Sequence, residues 1–313
     1  MKIGIDMMGG DYAPVEAVKG LKQYLESASQ DILPVLIGHQ DQLIPLLETE
    51  KIDPSRYRLV HAPQAIDMHE HPTKALKSKP DSSINIGFKL LASTDIDAFI
   101  SAGNTGAMMV GAMYSIKAID GIQRPTISTV LPRENGNPGL LLDVGINSDC
   151  KAENLLQFAV LGSLYSEHIL NIPSPRVALL NIGEEASKGN LLVQAAYPLL
   201  RDSGKIHFIG NIEGRDIFSD KADVIVCDGF TGNIVLKMAE SIFDIYSTRA
   251  FTDAYLEKFN FENYGGTPVL GVAEPVIIGH GISKGLAFRN MISMAELILS
   301  RRLLDKIREN FHS

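Results

Sequence analysis

No tryptophan and only 2 cysteines occur among the 313 residues. Cys150 and Cys227 lie on unrelated segments, so neither a disulfide framework nor a zinc site follows from them, and they read as reduced core thiols. Basic residues are outnumbered: 29 Lys and Arg face 37 Asp and Glu, for a formal net charge of −8. That sign argues against a nucleic-acid partner. No apolar run reaches membrane-spanning length, and the N-terminus leads into a strand rather than a signal peptide. A cytoplasmic protein is expected, at most attached at the inner membrane face. Linkers rich in Pro, Gly or Ser, low-complexity tracts and solenoid repeats are missing too, so a single domain over residues 1–313 is expected.

What the chain does have is a repeated local pattern. Val224–Lys237 reads VIVCDGFTGNIVLK: a β-branched strand, a Gly-rich turn, then helical spacing from Ile234. Such a turn points backbone N–H groups and the positive end of a helix into one small volume, which suits an anion. The same grammar recurs after Ile3–Asp6, Ala98–Ala102, Leu140–Val144 and Val177–Ile182. Five apolar strands ending in Gly and polar residues predict one open, mostly parallel sheet. In such sheets ligands bind outside the carboxyl ends of the strands, so the turns are expected to meet at one site.

Between these motifs the spacing predicts a helix capped by Asp41, a Thr126–Leu131/Leu140–Val144 hairpin, and one closing helix from Ala287 to Phe311. Met238–Tyr264 carries Phe243, Tyr246, Phe251, Tyr255, Phe259 and Phe261, and reads as a helical stripe that is core, dimer seam or lipid contact.

Each candidate residue has a plain alternative. Asn233, and Asn104 with Thr105, stand where helices begin, so capping competes with a carboxamide aimed at an oxyanion or phosphate. Lys188 in GEEASKGN opposes the dipole of the helix it precedes, and a bound phosphate would explain that placement. Asp6, Asp11, Asp143 and Asp228 either hold Mg²⁺ or order the turns, and ordering is favoured. His280 could orient a substrate or merely bond backbone. His69-Glu70-His71 lacks the spacing of a metal motif. Asp228 disfavours Cys227 as a nucleophile by raising its thiol pKa. Gly4–Gly9 reads GxDxxG, and Asp6 would repel a dinucleotide pyrophosphate. The same stretch leaves an actin-like kinase as a rival.

Taken together, DMMGGDYAP (6–14), KPDSSINIG (79–87), SAGNTGA (101–107), LDVGIN (142–147), NIGEEASKGN (181–190), NIEGRDI (211–217), CDGFTGNIVLK (227–237) and YGGTPVLGV (264–272) resemble the bacterial phosphate acyltransferases of fatty acid and phospholipid synthesis. The resemblance spans nearly the whole chain. It implies a three-layer α/β/α sandwich similar to isocitrate and isopropylmalate dehydrogenases and to phosphate acetyltransferase, a homodimer, and no cofactor or metal. It implies transfer of an acyl group from acyl carrier protein to inorganic phosphate, then hand-off to a glycerol-3-phosphate acyltransferase. By matching position it implies catalytic roles for Lys188 and Asn233. Substrate contacts are expected at Asp6, Gly9, Gly10, Asn104, Thr105, Gly106, Asp228, Gly229, Thr231, Gly232 and His280. Helices at 238–264 would form the dimer tip and touch the membrane, although this segment is shorter than in many members. GVAEPVIIGHGIS also departs from the family's glycine-rich wording. Lys74, Lys77 and Lys79, or Arg289, Arg301, Arg302, Lys306 and Arg308, are candidate docking patches for the acidic carrier. The alternative activity is a short-chain phosphate acetyl- or butyryltransferase using coenzyme A thioesters. From another class, the alternative is a non-catalytic scaffold at the membrane.

Overall fold

A computed structural model describes residues 1–27, 31–249 and 253–311. In chain order the elements are β1 (Lys2–Asp6), α1 (Val15–Ser27), β2 (Leu33–Gly38), α2 (Gln40–Thr49), β3 (Arg58–His61), α3 (Pro72–Ser78), α4 (Ser83–Ala92), β4 (Ala98–Ser101) and α5 (Thr105–Gly111). Then come β5 (Thr126–Pro132), β6 (Pro138–Leu142), α6 (Ala152–His168), β7 (Arg176–Asn181), α7 (Leu191–Asp202), β8 (His207–Glu213), β9 (Val224–Val226) and α8 (Gly229–Thr248). The chain closes with β10 (Gly266–Leu270), β11 (Val276–Gly279), α9 (Gly285–Ser300) and α10 (Leu303–Phe311). These elements fall into two compact units, Met1–Ile119 with Phe261–Leu304, and Asp120–Asn260 with Asp305–Ser313. No Pro-, Gly- or Ser-rich stretch marks the crossings between units, so composition carries no sign of them.

In the first unit the strands lie in the order β3-β2-β1-β4-β11-β10, all parallel except β10, which runs against β11. Ile3, Ile5, Val35, Ile37, Phe99 and Ile100 are fully buried, as expected of parallel strands covered on both faces. Gly87 of α4 lies against the Phe99 ring, while Gly279 of β11, on the opposite face, meets Met291 of α9. Helices therefore cover both sides of this sheet.

The second unit repeats the plan with strands β5-β6-β9-β7-β8. The expected β5–β6 hairpin is present and antiparallel, and the other pairs are parallel. Gly162 of α6 rests on Val224 and Leu142 from one face. From the other, Val235 and Leu236 of α8 pack onto the cluster that includes Leu141, Ile225 and Cys227. The mostly parallel α/β class is thus borne out in both units.

Several local expectations change. α8 starts at Gly229 rather than Ile234, because Asp228 caps it. α2 opens at Gln40 after His39, so Asp41 is not its cap. β10 carries Gly266 and Pro268 and had no strand reading in the sequence; it pairs antiparallel with β11. The closing helix breaks at Arg301–Arg302, where Arg302 takes a left-handed φ of 54° with no Gly or Pro to announce it. The aromatic stripe is not one helix face, since α8 ends at Thr248. Tyr255 and Phe259 instead belong to short turns: the Phe259 ring meets Phe218 at 5.2 Å, and Tyr255 donates to the Pro132 carbonyl at 3.1 Å. Phe251 lies outside the described residues.

An ion-pair cluster ties β7 to the segment before β9. Asp223 accepts from Arg133 at 2.6 Å and from the Arg176 side chain at 2.9 Å, with Asp223 and Arg133 both buried. Burial alone would raise the Asp223 carboxyl, but the Arg176 bonds and the Arg133 charge outweigh it and hold it below its ordinary 3.8. A depressed folded pKa stabilises the fold above the unfolded value and loses that effect as pH falls through the folded value. Asp223→Asn should therefore cost about 3 kcal/mol at neutral pH by leaving the buried Arg133 with only the exposed Asp220 carboxylate, 2.7 Å away, as its charged partner. The gap to wild type should narrow in denaturant titrations below about pH 4. A gap of equal size at neutral and strongly acidic pH would rule this account out.

Candidate active site

At the carboxyl ends of the first unit's strands, Asp6 is the organising side chain. It is fully buried, accepting from the Met8 N–H at 3.0 Å and the Ser101 hydroxyl at 2.6 Å. The Ser101 Oγ in turn accepts from the Gly103 N–H at 2.9 Å. Burial raises the Asp6 carboxyl against these donors. Gly9 packs directly on Asp6, Ser101 and Gly103, so the first and fourth strand ends are stapled together. Beside Gly10, the Asp11 N–H donates to the Gly281 carbonyl at 2.8 Å, bringing the GHGIS turn to the same place. His280 stacks at 5.1 Å on Phe261. Asp6, Gly9, Gly10 and His280 are thus brought together.

Asn104 resolves toward its plain alternative. Its Oδ1 caps α5 by accepting from the Ala107 N–H at 2.9 Å, and its Nδ2 donates to the carbonyls of Asp67, Met68 and Glu70. Both ends of the carboxamide are consumed, so the expected phosphate contact through this side chain is not the one the geometry provides. Gly106 packs on Pro72, and Thr105 is exposed at the first position of α5.

The second unit uses the same device with Asp143. This buried carboxylate accepts from the N–H groups of Gly145, Ile146 and Asn147 and from the Asn147 Nδ2, at 2.6–3.2 Å. Burial raises its carboxyl while the four donors pull the other way. Asn147 also accepts, through its carbonyl, from the Gly229 N–H at 2.8 Å. The LDVGIN turn thereby holds the first residue of α8. Asp228 caps that helix, accepting from the Thr231 N–H at 2.9 Å and the Thr231 hydroxyl at 2.8 Å. The Gly232 N–H goes to the Asp228 carbonyl.

Two expectations change as a result. The N–H groups of Gly229, Thr231 and Gly232 are committed within the fold, so they are not oxyanion donors. Asn233 is not a cap either; it lies in the second turn of α8, exposed, with its Oδ1 beside Gly145. Capping therefore does not account for Asn233.

Lys188 follows β7, the neighbour of β9, so its turn and the Asn233 turn leave from the same end of adjacent parallel strands. The side chain is exposed and its stem passes over Gly183. Gly189 has a φ of +93°, which together with the nearby Asn181 and Val193 side chains admits only glycine.

Cys227 is buried with its thiol pushed well up, and Cys150 is pushed up to about 11, in both cases chiefly by burial. Neither supplies a thiolate at neutral pH. Among the described residues no group of three or more His, Cys, Asp or Glu side chains is placed to hold a metal ion. Glu70 pairs with Lys79, which withdraws that lysine from the proposed basic patch. Ser101, Asn147 and Asn211 carry no sequence signal beyond the motifs that contain them. Their roles depend on partners far away in the chain.

Mostly parallel α/β units with polar turns at their strand ends define a class of fold, and it is that of the phosphotransacylases. A Streptococcus pyogenes phosphotransacetylase superposes with a TM-score of 0.69 at 18% identity, covering 97% of this chain and 94% of that one. A branched-chain phosphotransacylase from Enterococcus faecalis gives 0.63 at 13% identity, covering 97% and 99%. Sequence likeness then fixes the family: the chain belongs to the family described as fatty acid synthesis protein, whose model matches residues 1–305. It is similar throughout to the phosphate acyltransferase of Dictyoglomus turgidum, 42% identical over 100% of this chain and 98% of the relative. Those of Halothermothrix orenii and Salinibacter ruber are 41% and 40% identical, again over 100% of this chain and 99% and 98% of theirs.

A Cβ at Gly232 would overlap the Asp143 carbonyl oxygen, whereas one at Gly214 meets nothing within 4 Å. Gly232→Ala is therefore expected to cost about 1–3 kcal/mol and to displace Asn233, while Gly214→Ala stays neutral. Thermal melts with turnover measurements check this. Equal behaviour of the two variants would show that α8 does not need so close an approach.

Proposed function

We propose that this chain transfers the acyl group of an acyl-carrier-protein thioester to inorganic phosphate, giving acyl phosphate for phosphatidic acid and phospholipid synthesis. The observation that carries the reading is 40–43% identity, essentially end to end, with proteins called phosphate acyltransferase. Phosphotransacylases share the fold at only 13–18% identity, so a coenzyme A-dependent short-chain enzyme fits less well.

A phosphate oxygen attacks the thioester carbonyl, the tetrahedral oxyanion collapses, the C–S bond breaks, and the carrier thiolate departs. Phosphate is itself anionic at neutral pH, so no Ser or Cys nucleophile is required. The work left to the protein is orientation and charge stabilisation. Lys188 pairs with phosphate or the oxyanion, and the Asn233 carboxamide donates to the oxyanion. Because the N–H groups of Gly229, Thr231 and Gly232 are already bonded, that donation is assigned to the side chain. Within the first unit, Thr105 and Gly106 are assigned to anion binding and His280 to substrate orientation.

The homodimer, a peripheral membrane contact, cytoplasmic placement and hand-off to a glycerol-3-phosphate acyltransferase remain part of this proposal. Phe230, Ile234, Met238, Ile242 and Ile245 lie exposed along one face of α8, Phe230 at 64%, which supports an apolar contact there. Among the described residues no helix is long and apolar enough to cross a membrane.

Release of carrier thiol from a long-chain acyl-carrier-protein thioester should depend on inorganic phosphate, without added metal or ATP. Phosphate-independent release would sink the reading. Asn233→Ala should lower turnover about 10²–10³-fold with an unchanged melting temperature, and near-normal turnover would remove Asn233 from the mechanism.

A further inference from the structure

The NIEGRDI segment has no part in the chemistry above, yet it is built against the Lys188 turn. The Asn211 Nδ2 donates to the carbonyls of Glu184 at 3.5 Å and Glu185 at 3.0 Å. Asp216 pairs with Lys221 at 2.9 Å, and Lys221 pairs with the Glu184 carboxylate at 3.0 Å. From a second direction, Asn181 of β7 donates to the Lys188 carbonyl at 3.1 Å. From a third, Gln194 of α7 donates to the carbonyls of Ser187 at 3.0 Å and Gly189 at 2.9 Å. Carboxamides on three elements thus hold the carbonyls of Glu184, Glu185, Ser187, Lys188 and Gly189.

A planar trans peptide sends its N–H opposite to its carbonyl. Fixing these carbonyls fixes the course of the turn and so the root of the Lys188 side chain. Asn211 is the informative member. It is 7% exposed, and its Oδ1 is buried without a hydrogen-bond partner. A buried amide that leaves its own oxygen unpaired is a poor packing choice, because an apolar residue of the same shape avoids that desolvation cost. Its orientation is imposed: turned over, its oxygen would face two carbonyl oxygens. The side chain is placed for its two donors, and both go to the turn that carries Lys188.

We infer that Asn211 is a positioning residue of the acyl transfer, with Asn181 and Gln194 as its supports, acting by aiming the Lys188 ammonium. The inference rests on the assignment of Lys188 to the reaction. Asn211→Leu keeps the shape and removes the donors. It should lower kcat/KM by about 10–10²-fold, the scale of a misplacement near 1 Å, with the melting temperature unchanged or raised. The decisive quantity is coupling. Added to Lys188→Ala, Asn211→Leu should cost less than about a further twofold, because there is no ammonium left to aim. Multiplying losses would make Asn211 a structural residue and overturn the inference, as would full activity in Asn211→Leu alone. If Lys188→Ala itself turns over normally, the assignment of Lys188 falls and this inference with it. Gln194→Met, at an exposed helix position that cannot unfold the core, serves as the second probe and should show a smaller loss with the same non-additivity. Independent losses there would likewise overturn the inference.

Discussion

A carboxylate taken out of water is tolerated only when its oxygens are paired. Asp143 meets that condition by gathering the N–H groups of its own following turn and the Asn147 carboxamide. The consequence reaches beyond the turn. Asn147, held in place, accepts from Gly229 and so seats the first residue of α8. Gly232 then approaches the Asp143 carbonyl as only a glycine can, and Asn233 is carried to its exposed position beside Gly145. Asp6 does the corresponding work in the first unit, where it staples two strand ends through Ser101. Asp6 and Asp143 order turns, and their raised pKa values reflect burial rather than readiness to exchange protons with substrate.

This division of labour leaves few groups free for chemistry. The N–H groups of Gly229, Thr231 and Gly232, the Asn104 carboxamide and Lys79 are committed to the fold. Lys188 and Asn233 are the residues whose placement local structure does not explain: one opposes the helix it precedes, and the other caps nothing. Side chains set against local preference are where function is expected to sit. In the proposed reaction, anionic phosphate as nucleophile and a thiolate as leaving group would make modest demands, which a lysine with a carboxamide donor would answer.

The acidic net charge concentrates recognition of an acidic carrier on local features. Exposed Lys74 and Lys77 stay available to an acidic carrier, while the apolar face of α8 is the plainest surface for an apolar partner.

Much of this was legible in the residues. The apolar strand runs, the glycines that follow them and the motif wording determined the mostly parallel α/β class, the family and the turns that matter, because side-chain period and turn chemistry are local properties. Lys188 and Asn233 stood out for the same reason. Where helices begin and end was less legible. Asp228 takes α8 back to Gly229, and Arg302 breaks the final helix with no Gly or Pro in sight. β10 is a strand through backbone pairing, with β11 among its partners, despite Gly266 and Pro268. What the tertiary structure alone decided is which polar groups are spent: Asn104 on the 67–70 loop, Asn147 on α8, Asn211 on the Lys188 turn. A hydrogen bond between residues tens of positions apart leaves no periodicity in the sequence. Whether a carboxamide is a ligand or a brace is settled only when its partners are in place.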